Sequence, residues 1–177
     1  MSSATPSGQT PPDESRLIIR PALSDDWPRI WPFYARIVTA GETYAYPDPP
    51  IAETARALWM EEPPGQTVVA VEDGVVVGSA KMGPERPGRG AHVATASFMV
   101  DPARHGRGIG RALGAYTITW AREAGYRAMR FNAVVETNSG AVHLWQSLGF
   151  QILATIPEAF DHPRNGLVGL HVMYRRL

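Results

Sequence analysis

The chain has 177 residues, with 17 Lys and Arg against 17 Asp and Glu, and no cysteine. A length of this order suits one domain, able to bury roughly 70% of its unfolded surface without staples. Zero formal charge argues against a general nucleic-acid or membrane-surface binder, and the lack of cysteine excludes disulfides, thiolate metal sites and a cysteine nucleophile.

Residues 1–15, "MSSATPSGQTPPDES", are polar and rich in Ser and Pro. They read as a disordered leader, without the basic and apolar regions of a secretory signal. Residues 16–177 read as the folded domain. The run 17–22 is a first strand stopped by proline. Residues 24–41 read as a helix with Ser24 as N-cap and Gly41 as its end, kinked or split at Pro32. An aromatic loop (41–50) precedes a second helix (51–62). Two β-branched runs over 67–82 flank Glu72-Asp73-Gly74, a hairpin signal. After a loop (83–90) come a strand (92–100), a turn (101–108), a helix (109–125) and a strand (128–135). A capping turn (137–140) then opens a helix (141–149). Strands at 151–156 and 167–177 enclose the loop "PEAFDHPRNG". This order gives a mixed α/β domain with a βαβ crossover in its second half. No apolar run is long enough to span a bilayer, so no membrane association is expected and a cytoplasmic location is.

The turn "HGRGIGRALG" (105–114) stands between a strand and a helix. A helix start carries unpaired N–H groups and partial positive charge, and glycines let the backbone close around an anion. The amides of Arg107, Gly108, Ile109, Gly110 and Arg111 are the expected donors, with Arg107 and Arg111 adding charge. A nucleotide-binding P-loop would need a lysine and a hydroxyl residue after its last glycine, where Arg111 and Ala112 stand. A dinucleotide fingerprint would need glycine at Leu113. A tight turn without a ligand explains one glycine better than three.

The turn resembles the pyrophosphate loop of the GNAT N-acetyltransferase superfamily, Arg/Gln-x-x-Gly-x-Gly/Ala, with His105 in the first position. "NSGAVHLWQSLGF" (138–150) is similar to the same family's Asn-x-x-Ala-x-x-Leu-Tyr-x-x-x-Gly-Phe. Asn138, Ala141, Leu144, Gly149 and Phe150 match; Trp145 replaces the tyrosine. The resemblance covers residues 17–177 and implies a single-domain α/β fold. Its mixed, mostly antiparallel sheet is splayed between strands 4 and 5, with helices on both faces. It also implies acetyl-CoA as co-substrate. Backbone groups of Met99 and Val100 would hold the pantetheine, with further contacts from Asn138, Ala141 and Trp145. The tyrosine that commonly protonates the leaving thiolate is absent, since tryptophan is no acid at neutral pH. "FNAVVETN" (131–138), "AGETYAY" (40–46) and Trp145 are similar to acetyltransferases acting on proline analogues. In those enzymes the asparagines matching Asn132 and Asn138 lie near the substrate carboxylate and the acyl-transfer centre. Thr95 stands where they carry another asparagine.

Acetyl transfer needs a neutral amine, a polarised thioester, aligned reactants and a leaving thiolate. Asn132, Asn138 and Glu42 are the catalytic candidates. Tyr44, Tyr46, Thr95 and Asn132 are the expected acceptor contacts. Glu136, His92, His171 and water remain alternative bases. No His, Asp or Glu spacing suggests a metal. The expected function is acetylation of a small amine, an amino acid or its toxic analogue such as phosphinothricin. A peptide N-terminus is the second acceptor class, and a CoA-binding sensor without turnover the rival. Exposed strand edges near the C-terminus suit a homodimer.

Overall fold

A computed structural model of the chain describes residues 17–177; the expected leader at 1–15 lies outside them. Strand β1 (Leu17–Pro21) leads through a short 3-10 turn into helix α1 (Trp27–Ala40), and helix α2 (Ala52–Trp59) follows. Strands β2 (Gln66–Glu72) and β3 (Val75–Pro84) form the expected hairpin. Asp73 and Gly74 have φ of 49° and 78°, the left-handed pair that a two-residue turn of this twist requires. Then come β4 (Val93–Val100), α3 (Ile109–Glu123), β5 (Ala128–Val135), α4 (Ser139–Ser147), β6 (Gln151–His162) and β7 (Gly166–Arg176).

The seven strands make one sheet in the order β1-β2-β3-β4-β5-β7-β6. All neighbours are antiparallel except β4 and β5. That parallel pair is joined only at Val93–Ala128 and Ala94–Met129, so the strands part beyond Ala94. Trp27, Ile30, Phe33 and Tyr34 of α1 and Trp59 of α2 pack on one face of the sheet, over Val69 and Met99. Ile109 and Leu113 of α3 cover Val68, Ala70 and Val77 on the other. Ile118 of α3 and Trp145 of α4 cover Ala94 and Met129 there.

Two expectations need correction. Pro32 does not split α1, which runs unbroken from Trp27 to Ala40. The bond it removes lies near the helix start, and the buried row Ile30, Phe33, Tyr34, Val38 offsets that loss. The segment 157–166 is not a loop: β6 runs on to His162. Its register with β7 shifts between Ile156 and Phe160, so Pro157 and Glu158 (φ 52°) are carried in a bulge, a position where proline is tolerated in a strand. Strand β6 is the outer edge of the sheet, and its Ile152, Leu153 and Ile156 are exposed.

Candidate active site

The parting of β4 and β5 opens a cavity of about 890 Å³, walled by both strands, the aromatic loop after α1, the start of α3 and helix α4. In an antiparallel ladder, backbone groups point to the neighbour at every second residue. Asp101 N–H bonds Val77 C=O and Glu85 N–H bonds Val93 C=O, in one unbroken β3–β4 register. Met99, in phase with both, turns its backbone to β3. Phe98 and Val100 turn theirs to the gap. Met99, expected to offer its backbone to pantetheine, lines the cavity, with its backbone paired to β3 and its side chain buried in the core beneath α1.

Phe98 already has a partner. The Tyr44 hydroxyl donates to its carbonyl at 2.5 Å and accepts from its N–H at 3.0 Å. Tyr44 stacks on Tyr46, with ring centroids 5.2 Å apart, and Tyr46 on Tyr34. Burial, aided by Tyr46, pushes the Tyr44 phenol far above the ordinary tyrosine range, so it stays neutral. Thr95 lines both the main cavity and an adjoining lobe of about 300 Å³. That lobe is bordered by Tyr46, Glu61, Lys81 and Ser97. Lys81 is tied to Leu58 C=O and Glu61.

At the other end lies the glycine turn. Gly106 and Gly108 have φ of 78° and 77°, a conformation L side chains rarely adopt. It places the N–H groups of Ile109, Gly110 and Arg111 in the first turn of α3, without intrahelical acceptors. His105, Gly108, Ile109, Gly110 and Arg111 line the cavity; Arg111 also donates to Ser147 Oγ at 2.7 Å. The Arg107 side chain does not line the cavity. It binds Glu72 at 3.0 Å, and Arg104 binds the same carboxylate at 3.2 Å. Glu72 is only 6% exposed, so it braces the turn from behind.

Asn138 caps α4, its Oδ1 accepting from Ala141 N–H at 3.2 Å, and it lines the cavity with Ala141 and Trp145. The Trp145 indole is buried against Phe98 and Phe131, at 4.6 and 5.0 Å between centroids. Asn132 lines the cavity too. Glu42 does not: it lies beside the pocket, paired with Arg164 at 2.7 Å. Glu136 accepts from Gly169 N–H, and His171 bonds Thr155 at 2.8 Å; neither lines the cavity. Among the described residues, no cluster of three or more His, Asp or Glu could hold a metal.

Three residues were missed by reading the sequence. Phe98 needed the ladder phase. Glu72 was seen only as a hairpin residue. Glu85, in an apparent Pro- and Gly-rich loop, accepts from Asn132 Nδ2 at 2.9 Å and pairs with Arg130; nothing local marks it.

The pattern of the Acetyltransferase (GNAT) family matches residues 21–150. The chain belongs to the GNAT acetyltransferase family. A GCN5-related N-acetyltransferase from Kribbella flavida is 60% identical, with a TM-score of 0.88 over 91% of this chain and 98% of that one. The yncA protein of Salmonella typhimurium, solved with its cofactor acetyl-CoA, is 27% identical, with a TM-score of 0.77 over 92% of this chain and 95% of that one. The L-amino acid N-acyltransferase MnaT of Escherichia coli is 37% identical over 92 residues, 51% of this chain and 53% of its own. The chain spans about half or less of the length of the curated relatives it matches. Among the described residues no helix is long and apolar enough to cross a membrane.

Proposed function

We propose that this GNAT protein transfers an acetyl group from acetyl-CoA directly to the amine of an amino acid or amino-acid analogue. The observation that carries this is the continuous cavity from the α3 N-terminus, through the β4–β5 gap, to the polar lobe at Thr95 and Ser97. The residues present suit acetyl-CoA. Glycine-turn amides and the Arg111 guanidinium fit a pyrophosphate. Val100 backbone groups and the apolar faces of Ala141 and Trp145 fit an uncharged pantetheine arm.

Acetyl-CoA supplies the acyl group: a C–N bond forms to the neutral amine, the C–S bond breaks, CoA leaves as thiolate, and the amine proton passes to water. The protein's part is chiefly positioning. Asn132 and Asn138 border the centre of the gap, and Tyr44, Tyr46 and Thr95 shape the acceptor side. The Asn138 side-chain oxygen is used in its cap, which leaves its Nδ2 as a donor. Tyr44 already spends its one proton on Phe98 C=O, and Glu42 pairs with Arg164; water is therefore the base we favour. Among the relatives, the name of the E. coli acyltransferase supports an amino-acid acceptor. The reading includes a homodimer paired along β6, supported by the exposed Ile152, Leu153 and Ile156 on that edge.

Initial rates with both substrates varied test direct transfer. Intersecting double-reciprocal lines are expected. Parallel lines would mean an acetylated enzyme and would overturn it.

A further inference from the structure

The β5–β7 register slips by one residue between Phe131 and Val134. Asn132 therefore sits in a β-bulge, a device that re-aims side chains beside active sites. Its Nδ2 donates to Glu85 Oε1 at 2.9 Å, and Arg130 reaches the same oxygen. The Glu85 side chain is 6% exposed. Burial opposes its charge, but the bonds from Arg130 and Asn132 prevail and hold its carboxyl below the ordinary range. An ionised carboxylate only accepts hydrogen bonds. The Asn132 amide can meet it only through its NH₂ end. A flipped amide would set two acceptors against each other. Asn132 Oδ1 is left without a partner among the described residues, on a side chain that lines the cavity.

We propose that Glu85 is a positioning residue that locks the Asn132 amide with its carbonyl oxygen toward the acceptor, so that Asn132 takes an N–H of the acceptor amine and not a carboxylate. The inference rests on the acetyltransferase reading of the same cavity. A neutral primary or secondary amine keeps at least one N–H while its lone pair attacks. Fixing that N–H on an oriented oxygen turns the lone pair toward the thioester. The sequence resemblance had placed this asparagine near the substrate carboxylate. With one Nδ2 hydrogen held by Glu85, the carbonyl oxygen is the end of the amide left wholly free, and an acceptor oxygen offers a carboxylate nothing.

The test uses the full chain, acetyl-CoA and the best amine acceptor. Glu85→Gln keeps the size of the side chain but can donate as well as accept, which frees the Asn132 amide to turn over. It should raise the acceptor KM about tenfold, the loss of one oriented hydrogen bond, with the Kd for CoA unchanged and Glu85→Asp restoring part of the effect. The same substitution should add nothing to KM in an Asn132→Ala background and keep its effect in an Arg130→Gln background. An unchanged KM in Glu85→Gln, or an effect that persists in full without the Asn132 amide, overturns the proposal. Should Glu85→Gln fail to fold, Asn132→Ser and Asn132→Val decide. Serine can donate to Glu85 and still offer a lone pair, so it should hold KM near wild type while valine raises it; equal values for both overturn the lock. A wild-type protein that acetylates no amine refutes the acetyltransferase reading itself, before any variant is made.

Discussion

The Tyr44 hydroxyl closes both backbone groups of Phe98, donating to the carbonyl at 2.5 Å and accepting from the N–H at 3.0 Å. The bond ties the aromatic loop to the open edge of β4 at the centre of the cavity. Tyr44→Phe leaves two backbone groups unpaired and should cost about 1–2 kcal/mol of stability. The phenol also governs behaviour at high pH. Its folded ionisation is raised by burial, and that of Tyr34 is pushed up to about 12. The unfolded chain therefore loses protons first as pH rises past about 10, and stability falls from there upward. Thermal melts across the alkaline range should show this fall, smaller in Tyr44→Phe than in wild type.

Gly108 has φ 77° and no atom within 4 Å of where a Cβ would stand. Crowding within the protein is therefore no obstacle to Gly108→Ala; backbone strain of about 1–2 kcal/mol is. Gly108 lines the cavity at the α3 N-terminus, where the pyrophosphate is proposed to bind. Calorimetric titration should show CoA affinity falling by more than strain alone explains, at least about tenfold, while the acceptor KM at saturating acetyl-CoA changes little.

Trp145 is packed on both sides. Its ring meets Phe98 and Phe131, and a Cβ on Gly114 would come within 3.0 Å of it. Restoring a tyrosine therefore opens a void before it supplies an acid. Trp145→Tyr should lose about 1–2 kcal/mol of stability and lower kcat. Denaturant melts and steady-state rates check both; a large gain in kcat would mean that the wild-type site lacks a proton donor it needs.

Asp26 is 3% exposed. It accepts two bonds from Arg20, at 2.6 and 2.9 Å, and one from Leu23 N–H at 2.8 Å. The bonds from Arg20 outweigh burial and hold its carboxyl below the ordinary range. A lowered folded pKa gives stability that is present at neutral pH and lost as pH falls below about 4. Asp26→Asn should destabilise by about 2 kcal/mol at neutral pH, a modest figure because Arg20 is partly exposed. The gap should close in acid melts.

Local signals in the sequence served the elements well and the site less well. Asp73-Gly74 marked the hairpin because a turn demands left-handed residues. Gly106 and Gly108 marked the turn into α3, because its left-handed backbone suits glycine alone. Pro157 misled, since a bulge absorbs the same residue a loop would. Alternation along β4 was visible, but which phase faces β3 depends on pairing, so Phe98, whose backbone turns to the gap, went unnoticed beside Met99 and Val100. Tyr44–Phe98 and Glu85–Asn132 join residues 54 and 47 positions apart. Such contacts leave no trace in local pattern. The splay of β4 from β5 was expected only through the family resemblance, and the two-pair ladder at Val93 and Ala94 is its physical form.

Free-thiol release from acetyl-CoA, followed against amino acids, proline analogues, phosphinothricin, polyamines and short peptides, tests the central claim most directly. Amine-dependent turnover with amino acids or their analogues is expected, with product acetylated at nitrogen. CoA that raises the melting temperature while no amino acid or analogue releases thiol would contradict it, and would point to a peptide acceptor if the peptides turn over, or to a sensor if nothing does.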